Sequence, residues 1–422
     1  MKKVEYFVGH LQKILIVVTI LMFVGMVPPL SAETIKPVLT TTQPATITIE
    51  QLTRDAESGN REAQSSLAKA YLRGDGVVKD YKEAAKWNSK AADQGLAEAQ
   101  FNLGVAYGSG EGVVKDPVKA AKWYRKAADQ GNTNARYSLG LAYSIGAGVV
   151  KDDAEAVKWY RKAADRGVAN AQNNLGAMYA NGTGVPKDYL EAVKLYRKAA
   201  AQGNTNAQCS LGLAYSIGAG VVRDDAEAVK WYRKAANRGN VQAQYNLGVM
   251  YENGLGVSKD YKEAASWYRK AAERGEAKAQ FNLALMYSTG RGVAEDYKEA
   301  ARWYRKAANQ GLANAQTNLG LMYANGAGVS KDYKEAAKWY QKAADQGVAV
   351  AQFNLAILYG KGAGVDGNFI EAHEWLSRAI AGTNDDELRV NFIEFLNGLE
   401  KLMTKEQVTE ALKREKTGPR GP

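Results

Sequence analysis

Cysteine is almost absent from this chain: Cys209 stands alone among 422 residues, so no intrachain disulfide can form. Histidine is nearly as scarce, with only His10 and His373. Metal centres and nucleophilic triads draw on convergent His and Cys. One thiol and two imidazoles cannot supply such a cluster. This argues against hydrolytic and redox catalysis and leaves only carboxylate chemistry open. No Gly-Lys-Ser/Thr follows the glycine-rich stretches, so no phosphate-cradling loop is signalled. No catalytic residue, metal ligand or cofactor is assigned. A long apolar run occurs once, from Ile14 to Val27, and at 14 residues it is shorter than the roughly 20 needed to span a bilayer.

That run sits behind Lys2, Lys3 and Lys13 and ahead of Pro28-Pro29 and Leu30-Ser31-Ala32. Basic head, short apolar stretch and small-residue end describe a secretory signal peptide over residues 1–32. The repeats then lie outside the cytoplasm, periplasmic or secreted; an uncleaved membrane anchor is the alternative. Residues 33–50, rich in threonine with Pro37 and Pro44, read as an extended linker, with a short strand-like segment conceivable near Ile47 and Ile49. Linker and N-terminal cap together fill 33–58.

What the chain has in abundance is repetition. Glycines at 59, 95, 131, 167, 203, 239, 275, 311 and 347 open nine copies of one 36-residue pattern. The copy from Gly95 reads GLAEAQFNLGVAYGSGEGVVKDPVKAAKWYRKAADQ. A fixed period between about 20 and 50 residues marks a solenoid, propeller or array. Residues 59–382 therefore form one stack in which each unit leans on its neighbours. Units three and five are near duplicates, with Cys209 in the slot of Tyr137. We read that thiol as a small packed residue.

Within a unit, Ala99, Leu103 and Tyr107 recur at four-residue spacing and lie on one face of a first helix. Gly104 interrupts it at a cost of about 1 kcal/mol. The equivalent slots hold only glycine or alanine, which predicts a close helix–helix crossing. Two turn glycines follow, at positions where only glycine suits the backbone. A second helix opens on Asp80/Glu83 and on six further Asp/Glu pairs at 152/155, 188/191, 224/227, 260/263, 296/299 and 332/335. Asn368/Glu371 serves the ninth unit, and Asp116 with Pro117 the second. These read as capping boxes rather than acid–base pairs. All eight tryptophans occupy one slot of this helix, Trp87 to Trp375, with Leu195 in the fourth unit. One ring per repeat among alanines reads as a packing device.

The string A-Q-x-N-L-G-x-x-Y-x-x-G-x-G-V-x-K-D-Y-x-E-A-x-x-W-Y-x-K-A-A resembles the Sel-one-like repeat family, relatives of the tetratricopeptide repeats. The resemblance covers 59–382. It implies an all-α, right-handed α-solenoid superhelix of helix-turn-helix repeats. It also implies an adaptor or scaffold role, and among exported bacterial members, host contact or periplasmic regulation. A cysteine-rich branch has been linked to β-lactam hydrolysis; this chain lacks its cysteines. Beyond the repeats, Leu388, Phe392, Phe395, Leu396, Leu399 and Met403 mark an amphipathic helix. Thr404 and Gln407 open another, so that 383–415 caps the stack and 416–422 is a disordered tail.

Two surfaces could meet a partner. Before the invariant leucine of the first helix stand Asn102, Asn174, Asn246, Asn282, Asn318 and Asn354, with Ser66, Ser138 and Ser210 in the remaining early units. If first helices line a concave wall, these amides could hold an extended peptide of a protein partner; the alternative is bonding within the repeats. On the second helix, Lys122, Arg125 and Lys126 recur as Lys158, Arg161, Lys162 and as Lys230, Arg233, Lys234. With the formal charge of +11, anionic glycan or a membrane surface are the partners this stripe would take. Interleaved acids favour a solvated face instead. Nucleic acid is not expected for an exported chain, and a monomer is. A cell-wall-directed enzyme and a periplasmic regulator of a membrane signalling protein are the rival functions.

Overall fold

A computed structural model describes residues 48–417. The expected signal peptide, the linker up to residue 47 and tail residues 418–422 lie outside the described residues. The fold is an all-α solenoid of nine consecutive helix pairs. The chain falls into two units, the first ending at Leu195 and the second starting at Tyr196.

Unit 1 begins with α1 (Ile49–Glu57), where the sequence suggested extended chain. The helix wins there because Thr48 accepts a bond from the Gln51 amide at 3.3 Å. Its Ile49, Leu52 and Ala56 also cover Leu67, Ala68 and Trp87 of the first repeat. First helices of this unit are α2 (Arg61–Arg73), α4 (Ala97–Ser109), α6 (Thr133–Ile145) and α8 (Ala169–Asn181). They alternate with second helices α3 (Tyr81–Asp93), α5 (Pro117–Asp129) and α7 (Asp153–Ala164), and α9 (Tyr189–Ala201) spans the unit boundary.

Unit 2 carries first helices α10 (Thr205–Ile217), α12 (Val241–Asn253), α14 (Ala277–Thr289), α16 (Ala313–Asn325) and α18 (Ala349–Lys361). Its second helices are α11 (Asp225–Asn237), α13 (Tyr261–Glu273), α15 (Tyr297–Asn309), α17 (Tyr333–Ala344) and α19 (Phe369–Gly382). Then come α20 (Asp386–Glu400) and α21 (Lys405–Thr417), the latter two residues longer than expected.

The close crossing has a specific cause. A Cβ added to Gly104, Gly140, Gly212, Gly248 or Gly320 would stand 2.7 or 2.8 Å from the ring of Tyr124, Tyr160, Tyr232, Tyr268 or Tyr340. In these five repeats the tyrosine following the tryptophan is thus the central ring of the hairpin, and Tyr160 and Tyr268 are wholly buried. Where the opposing slot holds Asn88 or Leu376, the small residue is Ala68 or Ala356. Ala284 against Tyr304 departs from this rule, and nothing in the structure explains it.

The turn glycines adopt positive φ in all nine repeats. In seven of them the second glycine also lies against the preceding repeat: a Cβ on Gly148 would fall 1.9 Å from the Pro117 carbonyl oxygen. The predicted caps form, with Asp152 Oδ1 accepting from the Glu155 amide at 2.9 Å and Asp116 from Lys119 at 3.0 Å. The reciprocal half of the capping box does not hold. The cap residue's own N–H already donates to a tyrosine carbonyl of the first helix, as from Asp152 to Tyr143 at 3.0 Å, in every repeat. Most of the freed glutamates pair with a lysine or arginine instead, as Lys230–Glu227 at 2.8 Å and Arg302–Glu299 at 2.9 Å.

Six tryptophans are buried; Trp123 and Trp231 are half-buried. A lysine three residues on lies over each of seven rings, its Nζ 3.8–4.3 Å from the centroid. Cys209 packs among Tyr232, Leu247 and Met250, and burial pushes its thiol up to about 12. That is the small packed residue expected.

The C-terminal pair closes the stack on Phe353, whose ring meets Phe392 at 4.6 Å and Phe395 at 5.3 Å. His373, 1% exposed, ties these helices to α19. Its Nε2 lies 3.0 Å from Glu400 Oε1. Its Nδ1 is 3.2 Å from Glu415 Oε1, within ion-pair reach but out of hydrogen-bond alignment. Arg414 reaches Glu371, Glu374 and Glu410 at 3.5, 3.3 and 2.9 Å. Thr404 and Gln407 form the full reciprocal capping box, at 2.9 and 3.2 Å.

Trp267, 8% exposed and roofed by Lys270, gives a direct check on this packing. Its replacement by Ala should cost about 3–5 kcal/mol in urea unfolding. A loss below about 1 kcal/mol would mean that the ring does not fill the core.

Candidate interaction surface

Residues four, seven and eleven apart share one helix face. In α10 this places Asn206, Ser210, Leu213 and Ile217 together, opposite buried Ala207, Leu211 and Ala214. In α12 the stripe is Gln242, Asn246, Val249 and Asn253; in α14 it is Lys278, Asn282, Leu285 and Thr289. All of these are exposed or half-buried. Unit 1 shows the same stripe at Glu98, Asn102, Val105 and Ser109 of α4. The first helices therefore present a row of amides beside a row of aliphatics, one rung per repeat.

The candidate asparagines fall on this stripe, but at different depths. Asn102, Asn246, Asn282 and Asn354 are half-buried; Asn174 and Asn318 are buried. The inner side of four of them reaches a tyrosine of the preceding repeat. Asn174 Nδ2 donates to Tyr160 Oη at 3.4 Å. Asn246 pairs with Tyr232, Asn282 with Tyr245 and Tyr268, Asn318 with Tyr304, and Ser210 with Tyr196. Gln242 Nε2 also donates to Asn246 Oδ1 at 2.9 Å. The amides thus link neighbouring repeats from within and face the stripe from without.

The basic stripe of the second helices is more engaged than sequence spacing suggested. Arg125, Arg161, Arg197, Arg233, Arg269 and Arg305 each donate to the hydroxyl of a tyrosine 18 residues on, in the next first helix. Arg197–Tyr215 measures 3.0 Å and Arg269–Tyr287 2.8 Å. Lys126, Lys162 and Lys234 lie over tryptophans, while Lys158 and Lys230 pair with Glu155 and Glu227. The signal for the arginine bridge was in the sequence: an arginine two residues after the tryptophan and a tyrosine in the following first helix.

Another inter-repeat bond went unread although its residue stood in the repeat pattern. Gln100, Gln172, Gln208, Gln244, Gln280, Gln316 and Gln352 are buried. Each Nε2 donates to a carbonyl at the end of the preceding second helix, at 3.0–3.2 Å. Arg136 Nε substitutes in the third repeat at 3.2 Å.

From α8 to α16 charge separates sharply between the two kinds of helix. Helices α8, α10 and α16 contain no charged residue; α12 has only Glu252 and α14 only Lys278. Helices α11, α13 and α15 carry five each. Among the described residues no group of His, Cys, Asp and Glu is placed to hold a metal ion.

Comparison with known proteins agrees with this architecture. The family model described as Sel1 repeat matches residues 61–96, 97–132, 133–168, 169–204, 205–240, 241–276, 277–312, 313–348 and 349–384. A protective antigen with an SLR fold, present in uropathogenic Escherichia coli strains, is 36% identical over 87% of this chain and 93% of its own, with a TM-score of 0.52. A Sel1 repeat protein from Oxalobacter formigenes is 34% identical over 78% of this chain and 98% of its own, with a TM-score of 0.58. No curated protein matches.

The buried phenols set an alkaline limit on the stack. Burial pushes Tyr124, Tyr196 and Tyr304 up to about 12, from an ordinary 10.0. The folded chain keeps them protonated while the unfolded chain begins to ionise near pH 10. Their contribution is therefore complete below about pH 10 and is lost between about 10 and 12. Urea midpoints should hold steady from neutral pH to about 10 and drop steeply above it; an unchanged midpoint at about pH 11 would place these hydroxyls in water.

Proposed function

The chain belongs to the Sel1 repeat family, and from that premise we propose that it is an exported, monomeric scaffold holding a partner protein or peptide along its first helices. Sel1 repeat proteins are generally protein–protein interaction scaffolds, and such scaffolds are typically non-enzymatic. The observation that carries the reading is the row of amides beside aliphatics repeated from rung to rung. Amides both donate and accept, so each can meet a peptide N–H or C=O. The aliphatics bury apolar side chains. The tyrosine behind Asn174, Asn246, Asn282 and Asn318 holds each in one orientation, which lowers the entropic cost of capture.

Export rests on the basic head, apolar run and Leu30-Ser31-Ala32 ahead of Glu33. The similar uropathogenic protein is a protective antigen, which supports an accessible location for this chain too. Among the described residues, no helix is long and apolar enough to cross a membrane. A cell-wall-directed enzyme would need an activated nucleophile. The single thiol is buried and pushed up to about 12, the opposite of what nucleophilic attack requires. Regulation of a membrane signalling protein would be one form of the binding proposed.

Two experiments test this. Sequencing the amino terminus of protein recovered from outside the cytoplasm should read from Glu33; material beginning at Met1 would mean that the segment stays attached. Crosslinking pull-downs should capture a discrete partner with the native chain and lose it with Asn246→Ala/Asn282→Ala. Equal capture by a variant with native helicity would remove the amide row from the binding surface.

A further inference from the structure

We infer, resting on the scaffold reading above, that the first-helix surface from α10 to α16 selects an extended polypeptide segment free of charged side chains. The surplus of positive charge takes no part in that recognition. The chain carries +11, and a protein of that charge ordinarily attracts acidic partners. Here the charge is on the wrong helices for such a role. From α10 to α16 the first helices hold Glu252 and Lys278 as their only charges, while the intervening second helices hold five each. Most cations of those second helices are already engaged, and in α11 all three are. Lys230 pairs with Glu227 at 2.8 Å, Lys234 lies 4.1 Å from the centre of the Trp231 ring, and Arg233 donates to Tyr251.

What the surface offers instead is neutral on both counts. Leu213, Val249, Leu285 and Leu321, all half-buried, supply one apolar contact per repeat. Asn246 and Asn282 supply an amide beside them. Neutral amides and aliphatics match the two things every extended chain presents, backbone polar groups and alternating side chains. Apart from Lys278 at the start of α14, the stripe from α10 to α16 carries no charge, so a carboxylate or ammonium brought onto it elsewhere would shed water and find no opposite charge to replace it. The row therefore excludes charged segments as much as it accepts neutral ones, and binding through it is insensitive to salt.

The test is a selection of random dodecapeptides displayed on phage against the immobilised full chain. The expected pool is depleted in Asp, Glu, Lys and Arg relative to the starting library. Its peptides, made synthetically, should bind with affinity unchanged within about twofold between about 50 and 500 mM NaCl. Thr289→Lys/Asn325→Lys places two charges at the edge of the row without touching the core and should weaken binding about tenfold or more. Lys338→Gln, on the second-helix side, should leave it unchanged. A pool enriched in Asp and Glu whose binding collapses with salt would overturn the neutral selectivity while leaving a protein-binding scaffold intact. Binding unaffected by Thr289→Lys/Asn325→Lys at native thermal stability would move the site off this surface and overturn the inference as well. A pool no different from one selected on bare support would overturn both the inference and the scaffold reading.

Discussion

A tyrosine ring lying flush against a helix that has no side chain at that point is the constraint from which the rest follows. Gly248 lets the Tyr268 ring sit where a methyl group would stand 2.7 Å away. The exchange is favourable although glycine inside a helix costs about 1 kcal/mol. A buried aromatic ring removes far more apolar surface from water than an alanine would. Hairpins of this kind, those of Gly104, Gly140, Gly212, Gly248 and Gly320, are therefore closed by one large ring in one small gap. The flanking alanines at 264, 265, 271 and 272, all nearly inaccessible, keep the two helices close along their length.

A hairpin so built still leaves polar ends that must be satisfied, and the repeats satisfy one another. The buried glutamine of one first helix bonds a carbonyl closing the previous second helix. An arginine reaches forward to the next tyrosine hydroxyl, and a turn glycine rests on the preceding helix start. None of these bonds exists in an isolated unit. Stability accordingly rises through nearest-neighbour interfaces rather than through a central core. The ends obey the same rule: α1 covers the first apolar face, and α20 with α21 covers the last, held by Phe353, His373 and Arg414.

This division of labour also shapes the outer surfaces. Second helices carry most of the charged residues, and most of their cations lie over tryptophan faces or bond tyrosine hydroxyls and neighbouring glutamates. First helices, relieved of charge, expose amides and aliphatics in register. In the function proposed for it, such a surface would read a polypeptide by its backbone and its apolar side chains, once per repeat. Such repetition lets modest contacts add along an extended partner.

Much of this was legible beforehand. The 36-residue period, the helix pair, the turn glycines, the aspartate caps, the packed tryptophans and the packed Cys209 all depend on neighbours in sequence, whose spacing alone says which face they share. The close crossing at Gly104 was legible too, but not its partner, because the residue filling the gap lies 20 positions away in Tyr124. The same distance hid the arginine–tyrosine bridges and the inner contacts of the asparagines. It also hid the reason that the glutamates of the capping boxes turn outward: the N–H they would have bonded is taken by a tyrosine carbonyl of the preceding helix. Local pattern settled which residues are helical and which faces are apolar, since those follow from bonds and periodicities within a few residues. Only the packed tertiary structure decided which polar groups are spent on holding repeats together, because that depends on which distant atoms arrive at the same place.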